Sequence, residues 1–141
     1  MNRSRFVAIV VGLLLSPSVG GVQDPTTRAR ETYAHAVELE AKGNNAAALS
    51  LLWEAAGLAP HDADIQNRLG EALERIGALD AAVDAFRTAT TERPSFKKAS
   101  NNLILALVKV GRGPEAAERA RKVVTDSPSD PDAHFTGGNA R

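Results

Sequence analysis

From residue 29 onward, apolar side chains return at steps of three and four, the spacing that places them along one face of a helix. Leu69, Ala72, Leu73 and Ile76 make one such stripe, and Gly77 follows it, the residue type that most readily takes the left-handed turn ending a helix. Leu79, Ala82, Val83, Phe86 and Ala89 make a second stripe. Pro94 blocks its continuation, because proline lacks the N–H a helix needs and biases the preceding residue, Arg93, away from helix. The pattern predicts a helical hairpin, with no strand between its stops.

The hairpin recurs. Gly43, Gly77 and Gly111 are separated by 34 and 34 residues, as are Pro60, Pro94 and Pro128, and Ala48, Ala82 and Ala116. Leu39, Leu73 and Leu107 keep the same step, as do Leu52, Phe86 and Ala120. The register divides the chain into units at 29–62, 63–96 and 97–130, followed by 131–141, which continues it into a truncated fourth unit or tail. In the third unit Gly113-Pro114-Glu115 opens the second helix, with proline where its missing N–H is harmless and an acid where it complements the helix dipole. The alanines at 48, 82 and 116 are small enough to let the two helices of a hairpin approach closely.

This pattern resembles the tetratricopeptide repeats, 34-residue helix-turn-helix units carrying W-x₂-L-G-x₂-Y, then A-x₃-F, then P. The second unit matches best, with Leu69-Gly70, Leu73 for the Tyr, Ala82-x₃-Phe86 and Pro94. The first offers Ala36, Leu39, Ala48-x₃-Leu52 and Pro60, and the third Leu103, Leu107, Ala116-x₃-Ala120 and Pro128. The sequence departs where Trp is expected, at Thr32, Gln66 and Ser100, and His35 replaces the first unit's Leu. The resemblance implies an all-α fold, a right-handed α-solenoid of three repeats plus a truncated fourth, and a concave groove lined by the first helix of each unit that holds a protein or peptide. The candidate binding residues on those helices are then Tyr33 in the first unit, Asn67, Arg68 and Glu71 in the second, and Lys98, Asn101, Asn102 and Lys109 in the third. Asn67, Asn101 and Asn102 carry amides that both donate and accept, suited to gripping a peptide backbone. Trp53, on the second helix of the first unit, is a candidate rim contact.

Members of the family that bind chaperones clamp a C-terminal carboxylate with Lys and Asn in the first unit, Asn in the second, and Lys and Arg in the third. Lys98 fits the third-unit lysine, but Tyr33 and Val37 stand at the first pair, Arg68 at the second-unit Asn and Asn102 at the Arg. A carboxylate clamp is not expected.

The first 21 residues differ in kind. Arg3 and Arg5 precede an apolar run of ten, Phe6 to Leu15, and Ser18-Val19-Gly20-Gly21 supplies small residues suited to signal peptidase. A transmembrane helix needs about 20 apolar residues, so 1–21 is expected to be a cleaved signal peptide, with a short membrane anchor as the alternative, and 22–28 a linker. Export by the general secretory route to a periplasmic or extracellular location follows.

Composition removes most other chemistry. No cysteine is present among 141 residues, and 17 basic residues balance 17 acidic ones, so disulfides, thiolate metal sites and cysteine nucleophiles are excluded and no overall field favours nucleic acid. His35, His61 and His134 lie in different units at unrelated positions, which predicts no metal site. No phosphate loop, nucleophile elbow or zinc-protease signature occurs, so no cofactor and no catalysis are expected. The zero net charge hides an asymmetry. Residues 29–62 hold two basic against five acidic residues, 63–96 four against six, and 97–130 seven against four. The expected function is an exported, non-catalytic scaffold that binds a protein or peptide through its concave face. Two alternatives are a substrate-recruiting segment of a larger transferase or peptidase, and a protein that associates with itself.

Overall fold

The computed structural model describes residues 23–126, which form six α-helices and no strand. They are α1 (Pro25–Ala41), α2 (Asn45–Leu58), α3 (Ala63–Arg75), α4 (Leu79–Glu92), α5 (Lys97–Lys109) and α6 (Gly113–Asp126). Each odd-numbered helix pairs with the next even one, and each hairpin packs on its neighbour: α2 against α3 and α4 against α5, with α3 also touching α5. The all-α expectation and the helical-repeat solenoid are both met. The expected signal peptide at 1–21 and the truncated fourth unit lie outside the described residues.

The interhelix turns follow the glycine register. Gly43, Gly77 and Gly111 adopt φ of 81°, 81° and 82°. After each, the chain closes the preceding helix with a backbone bond from Asn44 to the Leu39 carbonyl, Ala78 to Leu73, and Arg112 to Leu107, at 2.8–2.9 Å. These are Schellman closures, which satisfy carbonyls a helix end leaves open. The stops before Pro60 and Pro94 are also observed, since α2 ends at Leu58 and α4 at Glu92.

Two boundaries differ from the sequence reading. The stretch 22–28, expected as a linker, is helical from Pro25: Asp24 caps α1 by accepting from the Thr27 N–H at 2.6 Å, and Pro25 occupies the first turn without losing a bond. Ile76, expected on the packing stripe, is 62% exposed, because it is the C-cap residue beyond the last packed turn of α3.

The core runs continuously through the hairpins: Ala36, Ala48 and Leu52, then Leu69, Leu73, Ala82 and Phe86, then Leu103, Leu107 and Ala116. Volume is exchanged between helices at one recurring pair of positions. An added methyl at Gly70 would lie 2.4 Å from Phe86 Cε1, so the ring fills the space glycine leaves. The equivalent positions hold Ala36 with Leu52 and Ile104 with Ala120, so in every unit the register matches a smaller residue on one helix with a larger one on the other. Alanine at 48, 82 and 116 is almost fully buried, as the close-approach argument requires.

Candidate functional site

Stacking the hairpins brings α1, α3 and α5 side by side, and polar side chains on their shared face meet across the repeat boundaries. Two rungs recur. Glu40 of α1 pairs with Arg75 of α3 at 3.2 Å, and one repeat later Glu74 of α3 pairs with Lys109 of α5. Tyr33 interacts with Arg68, and one repeat later Asn67 accepts from the Asn102 amide at 3.0 Å. In both rungs the partners are 35 residues apart, one repeat plus one residue, which is the offset at which neighbouring first helices present adjacent side chains.

Glu71 is the hub of the face. It accepts from Lys98 at 2.7 Å, from Asn102 at 3.4 Å, from Asn67 at 3.5 Å and from Arg68 at 3.5 Å. Arg68 also reaches Glu40 at 3.4 Å. Burial works against the charge on Arg68, but Tyr33, Glu40 and Glu71 together outweigh it and hold the guanidinium more firmly protonated than usual. The carboxylates lie deep, with the side chains of Glu40 and Glu71 only 10% and 17% exposed, while the cations reach outward. Lys98 and Lys109 are 62% and 52% exposed at the side chain.

The sequence-based candidates therefore separate into two sets. Asn67 is buried at 4% and its amide is committed to Asn102 and Glu71, so the reading of it as an open amide on the groove is corrected. Arg68, Glu71 and Asn102 are likewise engaged across the repeat boundary and only partly exposed. Lys98, Lys109 and Asn101 present outward surface, and Tyr33 is partly buried beside Arg68. Trp53 is 52% exposed on α2, away from this face.

A second cluster at the entrance to α3 escaped the sequence reading. Asp64 accepts from both terminal nitrogens of Arg93 at 3.0 and 3.1 Å, and Arg30 of α1 reaches it at 3.5 Å. The Arg93 hydrogen bonds, aided by the charges of Arg93 and Arg30, hold the Asp64 carboxyl below its ordinary 3.8 despite partial burial. Arg93 in turn lies over the Phe96 ring at 4.8 Å. The available signal was the recurrence of opposite charges at offsets of 34 and 35, Arg30 with Asp64 and Glu40 with Arg75.

Among the described residues, no group of three His, Cys, Asp or Glu side chains is placed to hold a metal ion, and no helix is long and apolar enough to cross a membrane. His61 pairs with Glu92 at 2.9 Å, and His35 is exposed on α1.

A stack of helical hairpins whose first helices share one polar face defines a repeat solenoid, a class of protein whose surface recognises other chains. Residues 33–95 match the sequence model of the tetratricopeptide repeat, so this stretch of the chain is built of such repeats. Among solved structures it is similar to MamA at 24% identity, covering 76% of this chain and 58% of that one with a TM-score of 0.67. The Arabidopsis OM64 TPR domain aligns at 16% identity over 82% of this chain and 95% of its own, TM-score 0.65. YrrB, described as a TPR protein with an unusual peptide-binding site, aligns at 21% over 79% of this chain and 57% of its own, TM-score 0.65. The chain thus spans somewhat over half the length of the MamA and YrrB structures. Among curated proteins none matches it.

Proposed function

We propose that the chain is a non-catalytic interaction scaffold that holds a protein or peptide segment on the face shared by α1, α3 and α5. The observation that carries this reading is the layering of that face, with carboxylates beneath and cations above. Because Glu40, Glu71 and Glu74 are already paired, their acidity is spent on joining the repeats. The cations of these pairs and of Arg30 with Asp62 are the outward members: Lys98, Lys109, Arg75 and Arg30 keep much of their side-chain surface exposed and can share their donors with a partner, with the exposed amide of Asn101 among them. Donors in this arrangement suit main-chain carbonyls and acidic side chains of a bound segment. The likeness to YrrB in fold supports the same reading.

The scaffold is proposed to act after export. Arg3, Arg5, the apolar run Phe6 to Leu15 and the small residues Ser18 to Gly21 support this, and sequencing the amino terminus of the protein recovered from its host tests it. For the groove, the test is affinity capture from an envelope extract with the unaltered chain and with Lys98→Ala combined with Asn101→Ala. Both side chains are exposed, so the helical circular dichroism is expected to stay unchanged while capture falls. Undiminished capture by the double variant would refute the placement.

A further inference from the structure

The two ends of the stack match each other in a way the interior does not. Extended one repeat further, the rung formed by Glu40 with Arg75 and Glu74 with Lys109 reaches Val108, and the hub position of Glu71 reaches Leu105. Both are 57% exposed at the carboxyl-terminal end of the described stack. Traced backward, the position of Arg68 and Asn102 falls on Ala34, and that of Arg75 and Lys109 on Ala41, both exposed at the amino-terminal end. Inside the stack each rung joins two polar groups. At the ends, both members of the charged rung have become apolar together, which is what an apolar rung between one stack's end and another's beginning would need.

Charge is complementary across the same ends. The unit 29–62 carries an excess of three acids and the unit 97–130 an excess of three bases. A cleft of about 360 Å³ opens beside α5 and α6 next to the end of α4, lined among others by Thr90, Ile104, Val123, Arg119, Lys122 and Asp126. At the junction between the second and third hairpins, the corresponding place is filled: Ala99 of α5 packs with Ala63 and Ala89. Carried forward one repeat, Val123 takes the place of Ala89, and Glu31 on the α1 of an incoming copy takes that of Ala99. An acid thereby enters a cleft edged by Arg119 and Lys122.

We propose that this end is a docking surface for a second copy of the chain, which seats its α1 on α5 and α6 head to tail and repeats the junction already present within the stack. In the repeat register the chain's own Ala133 corresponds to Ala99, but Gly137 corresponds to the anchoring Leu69 and Leu103 and Arg141 to Leu73 and Leu107, which makes 131–141 the weaker occupant. Such a contact is heterologous, joining different surfaces on the two partners, so it leaves a free end after every addition and sets no fixed stoichiometry.

Sedimentation velocity of the full chain over a range of concentrations tests this. The average mass is expected to rise with concentration and to fall back as salt goes from about 0.1 M to about 1 M, where the screening length drops from about 10 to about 3 Å. Leu105→Asp with Val108→Asp blocks one end, and Ala34→Glu with Ala41→Glu blocks the other; all four side chains are exposed, so folding is preserved. Each variant alone is expected to be monomeric, and an equimolar mixture to form a dimer and nothing larger, because one good end of each kind remains. A monomeric unaltered chain would overturn the proposal, as would a closed dimer that persists in either variant alone. So would association that appears only after removal of 131–141, which would assign the surface to the chain's own tail.

Discussion

Replacing Gly70 with alanine tests whether the exchange of volume between paired helices is a real constraint. On helix propensity alone the change is favourable, since glycine in a helix interior costs about 1 kcal/mol relative to alanine. The packing opposes it: the new methyl would meet Phe86 Cε1 at 2.4 Å, Cδ1 at 2.6 Å and Cζ at 2.9 Å, and Phe86 is fully buried, so the ring must shift within the core. Overpacking of this kind costs about 1–3 kcal/mol, so Gly70→Ala should be destabilised by a net of about 1 kcal/mol, roughly 4–8 °C in melting temperature for a domain of this size. Phe86→Leu alone should also destabilise, by about 1–2 kcal/mol, through the space it leaves. Together they install the Ala36 and Leu52 combination of the first unit, and the double variant should recover most of the loss, with a coupling energy of at least about 1 kcal/mol. Urea unfolding followed by helical circular dichroism gives all three values. A Gly70→Ala variant more stable than the parent, or losses that simply add in the double variant, would refute the complementary-volume argument.

Other expectations follow from the same structure. Gly77→Ala should cost about 1–2 kcal/mol, because its φ of 81° is unfavourable to any residue with a Cβ, whereas Gly57→Ala, inside α2 with open space around it, should gain about 0.5–1 kcal/mol; thermal melts separate the two. Asn67→Ala strips partners from Asn102 and Glu71 in a buried setting and should cost about 1–3 kcal/mol, while Asn101→Ala should change stability by less than about 0.5 kcal/mol in the same chemical denaturation assay. Asp64 titrates below 3.8 in the folded chain, so its stabilising contribution is complete above that value and is lost as the pH falls through the depressed one. Asp64→Asn should flatten the acid limb of the stability profile, read as unfolding midpoints between about pH 5 and about pH 2, and an unchanged slope would contradict the Arg93 pairing.

The hairpins were legible because their stops are local chemistry. Left-handed glycines and blocking prolines act on their own turn, so Gly43, Gly77, Pro60 and Pro94 marked the same boundaries in the sequence and in the fold. The start of α1 was missed for a related reason: Asp24-Pro25 is a good helix opening, but it lies ahead of the repeat register that framed the reading. The candidate face was half legible. A helical stripe reports which side of a helix packs within its own hairpin, and by that measure Asn67 looks exposed. Its burial comes from the next hairpin, through contacts 35 residues away that no stripe encodes. Asn101, the equivalent residue one unit later, keeps the exposure the stripe implies because α5 is the last first helix among the described residues.

The cross-repeat rungs all tie the first helix of one hairpin to the first helix of the next. A structure joined in this way behaves like a short spring, with its bending and twisting concentrated at two joints, between α1 and α3 and between α3 and α5. A ligand lying along the rim from Arg30 to Lys109 would brace both joints at once. It would alter the stiffness of the whole coil without displacing a single helix, so its arrival would register as slower amide exchange in α1 and α5 alike.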